Sequence, residues 1–169
     1  LWKNLKNFVK TGDFTLGKEL TKFEKKFAKL IGTKYAVGVN SGTDAIKLSL
    51  KVIGIKPGDE IITAANTFVA TVGAICELGA KPIFVDCDDS FCMDTSLIEK
   101  KITKKTKAIV PVHFTGYMTN MVKLNKISKK YRIPVVEDAC QSILASINKK
   151  NSGTWSDFGA FSLHPLKNI

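Results

Sequence analysis

Arginine is almost absent from this sequence of 169 residues, although its formal net charge is +11. Arg132 is the single arginine, so lysine carries nearly all of the positive charge. Nucleic-acid-binding proteins favour arginine, because its planar guanidinium binds phosphates and guanine edges through two hydrogen bonds at once. The lysines are also spread over predicted helix surfaces and connections. We interpret them as a solvated surface that can steer anionic substrates, and we predict no nucleic-acid partner.

Paired metal ligands and long apolar runs are lacking as well. The chain has four cysteines and two histidines, at Cys76, Cys87, Cys92, Cys140, His113 and His164. They form no C-x-x-C pair and no zinc-ligand spacing, so we predict no metal site and reduced thiols. No apolar run approaches the roughly 18 to 20 residues that span a bilayer, and the N-terminus has no signal-peptide pattern. These absences favour a cytoplasmic protein without a membrane partner.

The rest of the composition suits one globular domain. Its hydrophobic fraction of 44% and its length allow a substantial buried core. The sequence starts at Leu1 rather than at a methionine and stops at Ile169, two residues after Lys167. We therefore expect it to be the first part of a longer chain.

Predicted helices and strands alternate along the sequence. Apolar residues from Leu16 to Leu30 recur at spacings of four and three, which predicts an amphipathic helix ending near Gly32. Further helices are predicted at 44–53, 68–78, 95–101 and 121–131, and buried strands at 35–39, 60–63, 82–86, 107–112, 135–137 and 158–163. This alternation predicts a three-layer α/β/α fold with a mainly parallel sheet. In such sheets, ligands bind beyond the carboxyl ends of the strands.

Two residues near the end of the sequence indicate a cofactor. Asp138 follows the apolar run Ile133–Val136 and Glu137, so its carboxylate is either exposed at a sheet edge, paired, or the N-cap of a helix. Lys167 follows a predicted buried strand and the turn His164-Pro165. Pyridoxal phosphate needs a lysine that forms a Schiff base with its aldehyde and an acid that keeps its ring nitrogen protonated. Asp138 and Lys167 are therefore candidate catalytic residues.

Other candidates lie at predicted strand-to-helix junctions. Asn40–Asp44 could bind a phosphate at a helix N-terminus, although Ser-Gly-Thr-Asp is also an ordinary N-cap sequence. Phe68 could stack on a planar ring or belong to the core. Gln141 could reach the same ligand as Asp138, and Ser162 could donate a hydrogen bond to a phosphate. His113 and His164 are better explained as structural residues.

Several motifs in a fixed order make the sequence resemble the DegT/DnrJ/EryC1/StrS family of sugar aminotransferases from about Gly12 onward. They are Ser41–Ala45, Ala65–Thr71, Pro111–His113, Glu137–Ser142 and Phe161–Asn168. Leu163 and Leu166 depart from the Phe and Thr often found in the last motif. This departure leaves the lysine assignment intact and affects the expected shape of that turn.

The resemblance implies the aspartate aminotransferase-like fold type I, with residues 1–169 forming part of the large cofactor-binding domain. By motif matching, the Schiff-base lysine, the pyridinium partner, the stacking aromatic and the ring contact would be Lys167, Asp138, Phe68 and Gln141. The phosphate would be held by Gly42, Thr43 and Ser162. The resemblance also implies a homodimer with shared active sites. The implied cofactor is pyridoxal 5'-phosphate (PLP), which cycles with its amino form, pyridoxamine phosphate (PMP).

The implied reaction transfers an amino group, with glutamate as the expected donor, to a keto group of a nucleotide-linked sugar. Three alternatives stay open at this point. A PMP-dependent sugar dehydratase of the same family carries a histidine in place of the lysine, so Lys167 argues against it. A noncatalytic regulator that binds sugar or cofactor would not need both Lys167 and Asp138. The third alternative is a basic nucleic-acid-binding module.

Overall fold

The computed structural model describes residues 2–167, so Leu1, Asn168 and Ile169 lie outside the described residues. The chain divides into two compact units, with the boundary between Gly38 and Val39. The first unit contains α1 (Trp2–Thr11) and α2 (Lys18–Ile31). Its second helix ends at Gly32, which adopts a left-handed φ of 88° and donates its N–H to the Ala28 carbonyl. The helix end predicted from the sequence is therefore confirmed.

The buried strand predicted at 35–39 is wrong. This segment belongs to no strand, and Tyr35 and Val37 are 71% and 77% exposed. A strand needs a neighbour that satisfies its backbone groups. Here the N–H of Gly38 instead donates to the Glu24 carboxylate on α2, at 2.7 Å. The apolar composition of the segment gave no information about its hydrogen-bonding partner.

The second unit contains the other helices and the sheet. The helices are α3 (Gly42–Ile53), α4 (Val69–Cys76) and α5 (Met121–Tyr131). The strands are β1 (Glu60–Ala64), β2 (Lys81–Val85), β3 (Thr106–Val110), β4 (Val136–Asp138), β5 (Ser146–Ile147), β6 (Lys150–Asn151) and β7 (Phe158–Ala160). Across residues 2–167, none of the helices combines the length and apolar character needed to cross a membrane.

The sheet is parallel throughout its described strands. β1 pairs with β2 on one side and with β3 on the other, and β4 pairs with β7. Two parallel bridges, Ile109 to Val135 and Val112 to Asp138, join β3 to the β4 region. The strand order is therefore β2-β1-β3-β4-β7. The strands β5 and β6 form a separate antiparallel hairpin.

Two apolar clusters cover the opposite faces of the sheet. Ile61 and Ile62 are both fully buried, yet they belong to different clusters because successive strand residues face opposite sides. One cluster joins the sheet to α3 and α4 through Ile46, Leu50, Ala74 and Ile75. The other joins it to α5 through Met121, Leu124 and Ile127. Helices on both faces of a parallel sheet confirm the predicted three-layer α/β/α class.

The structure shortens several predicted elements, and two of them lose at least half of their predicted length. The helix predicted at 95–101 is a 3-10 turn over Glu99–Lys101. Just before it, Asp94 Oδ1 accepts the N–H of Ser96 at 2.8 Å, a side-chain turn that competes with helix formation. The strand predicted at 158–163 ends at Ala160. The residues that follow leave the sheet and approach the start of α3.

Candidate active site

The N-terminus of α3 lies beyond the sheet and starts with a side-chain cap. Ser41 Oγ accepts the N–H of Asp44 at 3.1 Å, so the N-cap interpretation of this motif is correct. A capped helix still presents its first N–H groups, those of Gly42 and Thr43, to a ligand, and its dipole favours an anion. The cap and an anion site are thus compatible at the same helix end.

Gly42 brings this helix end close to two other candidate segments. A Cβ built on Gly42 would lie 2.7 Å from Cys140 Sγ and 3.2 Å from Ser162 Cβ. A glycine is therefore needed for the close approach of α3 to the segments after β4 and β7. Ser162, predicted to contact a phosphate, is consequently next to Gly42, and both are half-buried.

The close approach at Gly42 predicts a specific pattern of stabilities. Gly42→Ala should lower the free energy of unfolding by about 1–3 kcal/mol, because the added methyl overpacks the contact with Cys140. Adding Cys140→Ala should recover most of this loss, since it removes the nearest atom. Gly73→Ala on α4 is the control, because its Cβ would meet nothing within 4 Å. Denaturant unfolding of the four proteins checks the prediction, and equal losses for Gly42→Ala with and without Cys140→Ala would contradict it.

Asp138 ends β4 at the carboxyl edge of the sheet and is only 5% exposed. Its Oδ2 accepts the hydroxyl of Thr71 at 2.7 Å, and its Oδ1 accepts the N–H of Cys140 at 3.2 Å. No helix begins here, so the N-cap alternative is wrong. Each oxygen of a carboxylate accepts two hydrogen bonds, so the acid retains capacity for a further donor.

Lys167 and Phe68 meet at the same edge. The Nζ of Lys167 lies 5.4 Å from the centroid of the Phe68 ring, within the range of a cation–π contact. Phe68 occupies the N-cap position of α4 and is 60% exposed, so it is not the core residue that one interpretation allowed. Its exposed ring can accept a flat ligand. The motif that ends the chain continues to Asn168, which lies outside the described residues.

Gln141 connects the ends of two central strands. Its Oε1 accepts the N–H of Thr115 at 3.2 Å, and Thr115 adopts a left-handed φ of 50° in the turn after β3. Because this bond engages the amide oxygen, the NH₂ group is the part that Gln141 can offer to a ligand.

Both candidate catalytic residues affect the pKa of the Cys140 thiol. Its thiol pKa is raised, chiefly by burial and next by the Asp138 carboxylate, while the charge of Lys167 acts in the opposite direction. Both Asp138 and Lys167 are therefore close enough to affect one thiol. The raised pKa keeps this thiol protonated and unreactive at neutral pH.

Glu137 anchors the strand end that carries Asp138. Its Oε1 accepts the Trp155 N–H at 2.7 Å and the Ser156 hydroxyl at 2.8 Å, and its Oε2 accepts the Gly153 N–H at 2.8 Å. The carboxylate is fully buried, and hydrogen bonds of this number compensate the cost of burying it. Neighbouring residues of a strand face opposite sides, so Glu137 holds β4 in place while Asp138 faces the other side.

His113 completes this buried network. Its Nε2 lies 3.0 Å from Glu137 Oε2, and its Nδ1 accepts the N–H of Thr119 at 3.3 Å. Because Nδ1 is an acceptor, the ring is neutral and its Nε2–H donates to Glu137. The backbone N–H of His113 also donates to the carbonyl of Asp138 at 3.0 Å. His113 therefore has the buried, hydrogen-bonded setting of a structural residue.

A surface cavity of about 630 Å³ lies far from these residues, at the amino ends of the central strands. Ile55, Thr106, Arg132 and Pro134 are among its lining residues, and none of the candidate site residues is. The chemistry-bearing groups gather instead at the open carboxyl edge. There, the N-terminus of α3, a fixed carboxylate, an exposed aromatic ring and an amine are brought together by four separate segments.

A model of the DegT/DnrJ/EryC1/StrS aminotransferase family matches residues 2–169. The chain belongs to this family. One relative is the dTDP-3-amino-3,4,6-trideoxy-alpha-D-glucose transaminase of Micromonospora megalomicea subsp. nigra, 41% identical over 93% of this chain and 42% of its own length. Another is the 3-oxo-glucose-6-phosphate:glutamate aminotransferase of Bacillus subtilis (strain 168), 39% identical over 98% of this chain and 37% of its own length.

Solved structures of the family share the architecture. The crystal structure of NtdA from Bacillus subtilis, with bound cofactor PMP, matches with a TM-score of 0.94 and 38% identity. The match covers 99% of this chain and 38% of that chain. It confirms the aspartate aminotransferase-like fold predicted from the sequence. The chain spans about two fifths of the length of the curated relatives it matches.

Sequence reasoning missed two side chains that touch the candidate residues. Thr71 and Cys140 lay inside motifs that carry the family resemblance, but no role was assigned to either. For Thr71 a signal existed, because Thr67 and Thr71 are one helical turn apart at the start of a predicted helix, beside Phe68. For Cys140 no local signal existed, since its contact with Gly42 depends on the tertiary fold.

Proposed function

We propose that this chain provides the cofactor-binding part of a PLP-dependent aminotransferase. The proposed enzyme moves an amino group from glutamate to a keto group of a nucleotide-linked sugar. One observation carries the proposal: Asp138 is fixed at the carboxyl end of β4, while the Lys167 amine lies over the exposed Phe68 ring at the same edge. An acid and a primary amine are the two groups that this cofactor requires from a protein, and a flat aromatic can stack on its ring.

The residues of the site fit the cofactor part by part. The helix end at Gly42 and Thr43, together with the Ser162 hydroxyl beside it, suits a phosphate. The exposed face of Phe68 suits the ring, and the amide NH₂ of Gln141 can contact the ring or its hydroxyl. The sheet edge where they meet is the position at which ligands bind in parallel α/β sheets.

Asp138 is proposed to pair with the ring nitrogen. Its two oxygens already accept hydrogen bonds from Thr71 and from the Cys140 backbone, which fix the orientation of the carboxylate. An ionised acid holds a proton on the ring nitrogen. When bound, the cofactor supplies an electron-accepting ring that stabilises negative charge developing on the substrate's carbon.

Lys167 is proposed to have two roles in sequence. Its Nζ first holds the cofactor covalently. When it is not bonded to the cofactor, the free amine would act as a general base that takes the proton from the donor's α carbon. A lysine at this position favours amino transfer over the dehydratase alternative, which carries a histidine there.

The proposed amino donor and acceptor rest on the names of relatives, and the proposed assembly rests on exposed residues of this chain. One relative is named for glutamate as its partner substrate, and another for a dTDP-linked amino sugar. A homodimer is proposed because Phe68, Leu163 and Leu166 leave one side of the site exposed in this chain. A cytoplasmic location is proposed as well, in agreement with the four free cysteines.

The test follows the first half of the reaction in the natural full-length protein. The protein is loaded with PLP, L-glutamate is added without any acceptor, and the visible spectrum and 2-oxoglutarate are measured together. We expect the yellow band of the bound cofactor to bleach with formation of one 2-oxoglutarate per site. A panel of keto sugars linked to dTDP or UDP should then restore the band. Failure of glutamate and other amino acids to bleach a bound cofactor would overturn the aminotransferase assignment.

A further inference from the structure

The half-buried hydroxyl of Thr67 and the buried hydroxyl of Thr71 form a chain of hydrogen bonds that ends on the candidate acid. Thr71 lies on α4 and is fully buried, and its hydroxyl is 2.7 Å from Asp138 Oδ2. The hydroxyl of Thr67, one helical turn earlier, is 2.7 Å from that of Thr71. This chain of hydrogen bonds therefore links the exposed start of α4, beside Phe68, with the carboxylate at the end of β4.

Each hydroxyl has a single proton to donate, and this fixes which group donates and which accepts in each hydrogen bond. An ionised carboxylate only accepts, so Thr71 must donate its proton to Asp138. Thr71 then has lone pairs left but no proton, so Thr67 must donate to Thr71. The alternative partner of Thr67, the Phe68 carbonyl, is 3.4 Å away, which makes it the weaker bond. Both hydroxyl protons therefore point along the chain of hydrogen bonds toward the Asp138 carboxylate.

We propose that Thr71 is a positioning residue that holds the Asp138 carboxylate aimed at the ring nitrogen of the cofactor, with Thr67 supporting it. This inference rests on the proposed function. Thr71 and the Cys140 N–H hold the two oxygens from different segments, so the carboxylate plane is fixed before a ligand arrives. A preorganised acceptor binds a cationic ring nitrogen without the cost of reorganising at that moment. Without the Thr71 hydroxyl, Asp138 Oδ2 would lose the only side-chain hydrogen-bond donor described for it among residues 2–167.

The fold offers a matched control at Thr63. This residue lies on β1, is fully buried like Thr71, and donates its hydroxyl to the Val110 carbonyl at 2.9 Å. Its described side-chain hydrogen bond is to this carbonyl and not to Asp138. Replacing Thr63 with valine therefore removes a buried threonine hydrogen bond of the same kind without touching the carboxylate.

The experiment compares two ligands that bind without the lysine bond. One is PMP, and the other is the PMP analogue in which carbon replaces the ring nitrogen. Affinities of both are measured by titration for the natural full-length protein and its Thr71→Val, Thr71→Ser, Thr67→Val and Thr63→Val variants, with thermal melting as a check on folding. The quantity of interest is the preference for PMP over the analogue, because a general packing defect weakens both ligands alike.

The proposal predicts a selective loss. Thr71→Val should reduce the preference for PMP by about 10- to 100-fold, the range expected when a hydrogen bond to a charged group is lost. Thr71→Ser should keep the preference, Thr67→Val should lower it less than Thr71→Val, and Thr63→Val should leave it unchanged. An unchanged preference for PMP in Thr71→Val, or an equal loss of preference in Thr63→Val, would overturn the proposed role of Thr71. Neither result would affect the proposed function. If the natural protein binds no PMP, the proposed function itself fails.

Discussion

Replacing Lys167 with alanine is expected to slow amino transfer by the natural full-length protein by about 10²- to 10⁴-fold or more, the usual contribution of a positioned general base. The reason is that the Nζ over the Phe68 ring is the amine placed to remove the proton from the donor's α carbon. The measurement is the single-turnover rate with L-glutamate on cofactor-loaded protein, followed through the visible spectrum.

Two further proteins and one rescue experiment separate this role from a general effect of charge. Lys126→Ala removes an exposed lysine on α5 and should leave the rate unchanged. Lys167→Arg keeps a cation but provides no amine of suitable basicity, so it should be as slow as Lys167→Ala. A small primary amine added to Lys167→Ala should restore part of the rate. A Lys167→Ala protein that turns over at the natural rate would refute the assignment.

Replacing Asp138 with asparagine is expected to lower kcat/KM by about 10²- to 10⁴-fold. The substitution keeps the size of the side chain but removes the charge that would pair with the ring nitrogen. Breaking one side of a buried ion pair costs about 3–5 kcal/mol, and each ten-fold change corresponds to about 1.4 kcal/mol. Steady-state kinetics with glutamate and a keto-sugar acceptor provide the measurement.

Asp157 is the matched control for this substitution. It lies beyond the other end of β4, where its Oδ2 accepts the Val135 N–H at 3.0 Å. An asparagine can accept the same bond, so Asp157→Asn should retain nearly full activity. Equal losses in Asp138→Asn and Asp157→Asn would indicate that the effect comes from β4 packing rather than from the charge of Asp138.

The sequence predicted best those elements whose signals are local. The bounds of α5, Met121–Tyr131, agree with the prediction, because its apolar spacing is regular and Asn120 caps its first turn through the N–H of Lys123. Likewise, α3 is capped by Ser41 and ends at Gly54, which has a left-handed φ of 92°. Caps and left-handed glycines are fixed by near neighbours in the chain.

The predictions that failed depended on distant partners. Residues 35–39 have the apolar composition of a strand, but a strand also needs a neighbour, and here Gly38 donates to Glu24 instead. The contact between Thr71 and Asp138 joins α4 to the end of β4, and the local spacing of Thr67 and Thr71 does not name this distant partner. The topology of a parallel sheet predicts that strand ends meet at one edge. It does not predict which side chains then come within hydrogen-bonding distance.

The central claim is that Lys167 is the covalent attachment point of the cofactor, and reductive trapping tests it most directly. The natural full-length protein is loaded with PLP, reduced with borohydride and digested, and the modified peptide is identified by mass spectrometry. The account predicts one phosphopyridoxyl group per chain, on Lys167, with the remaining lysines unmodified. A label on another lysine, or no label after loading, would contradict it.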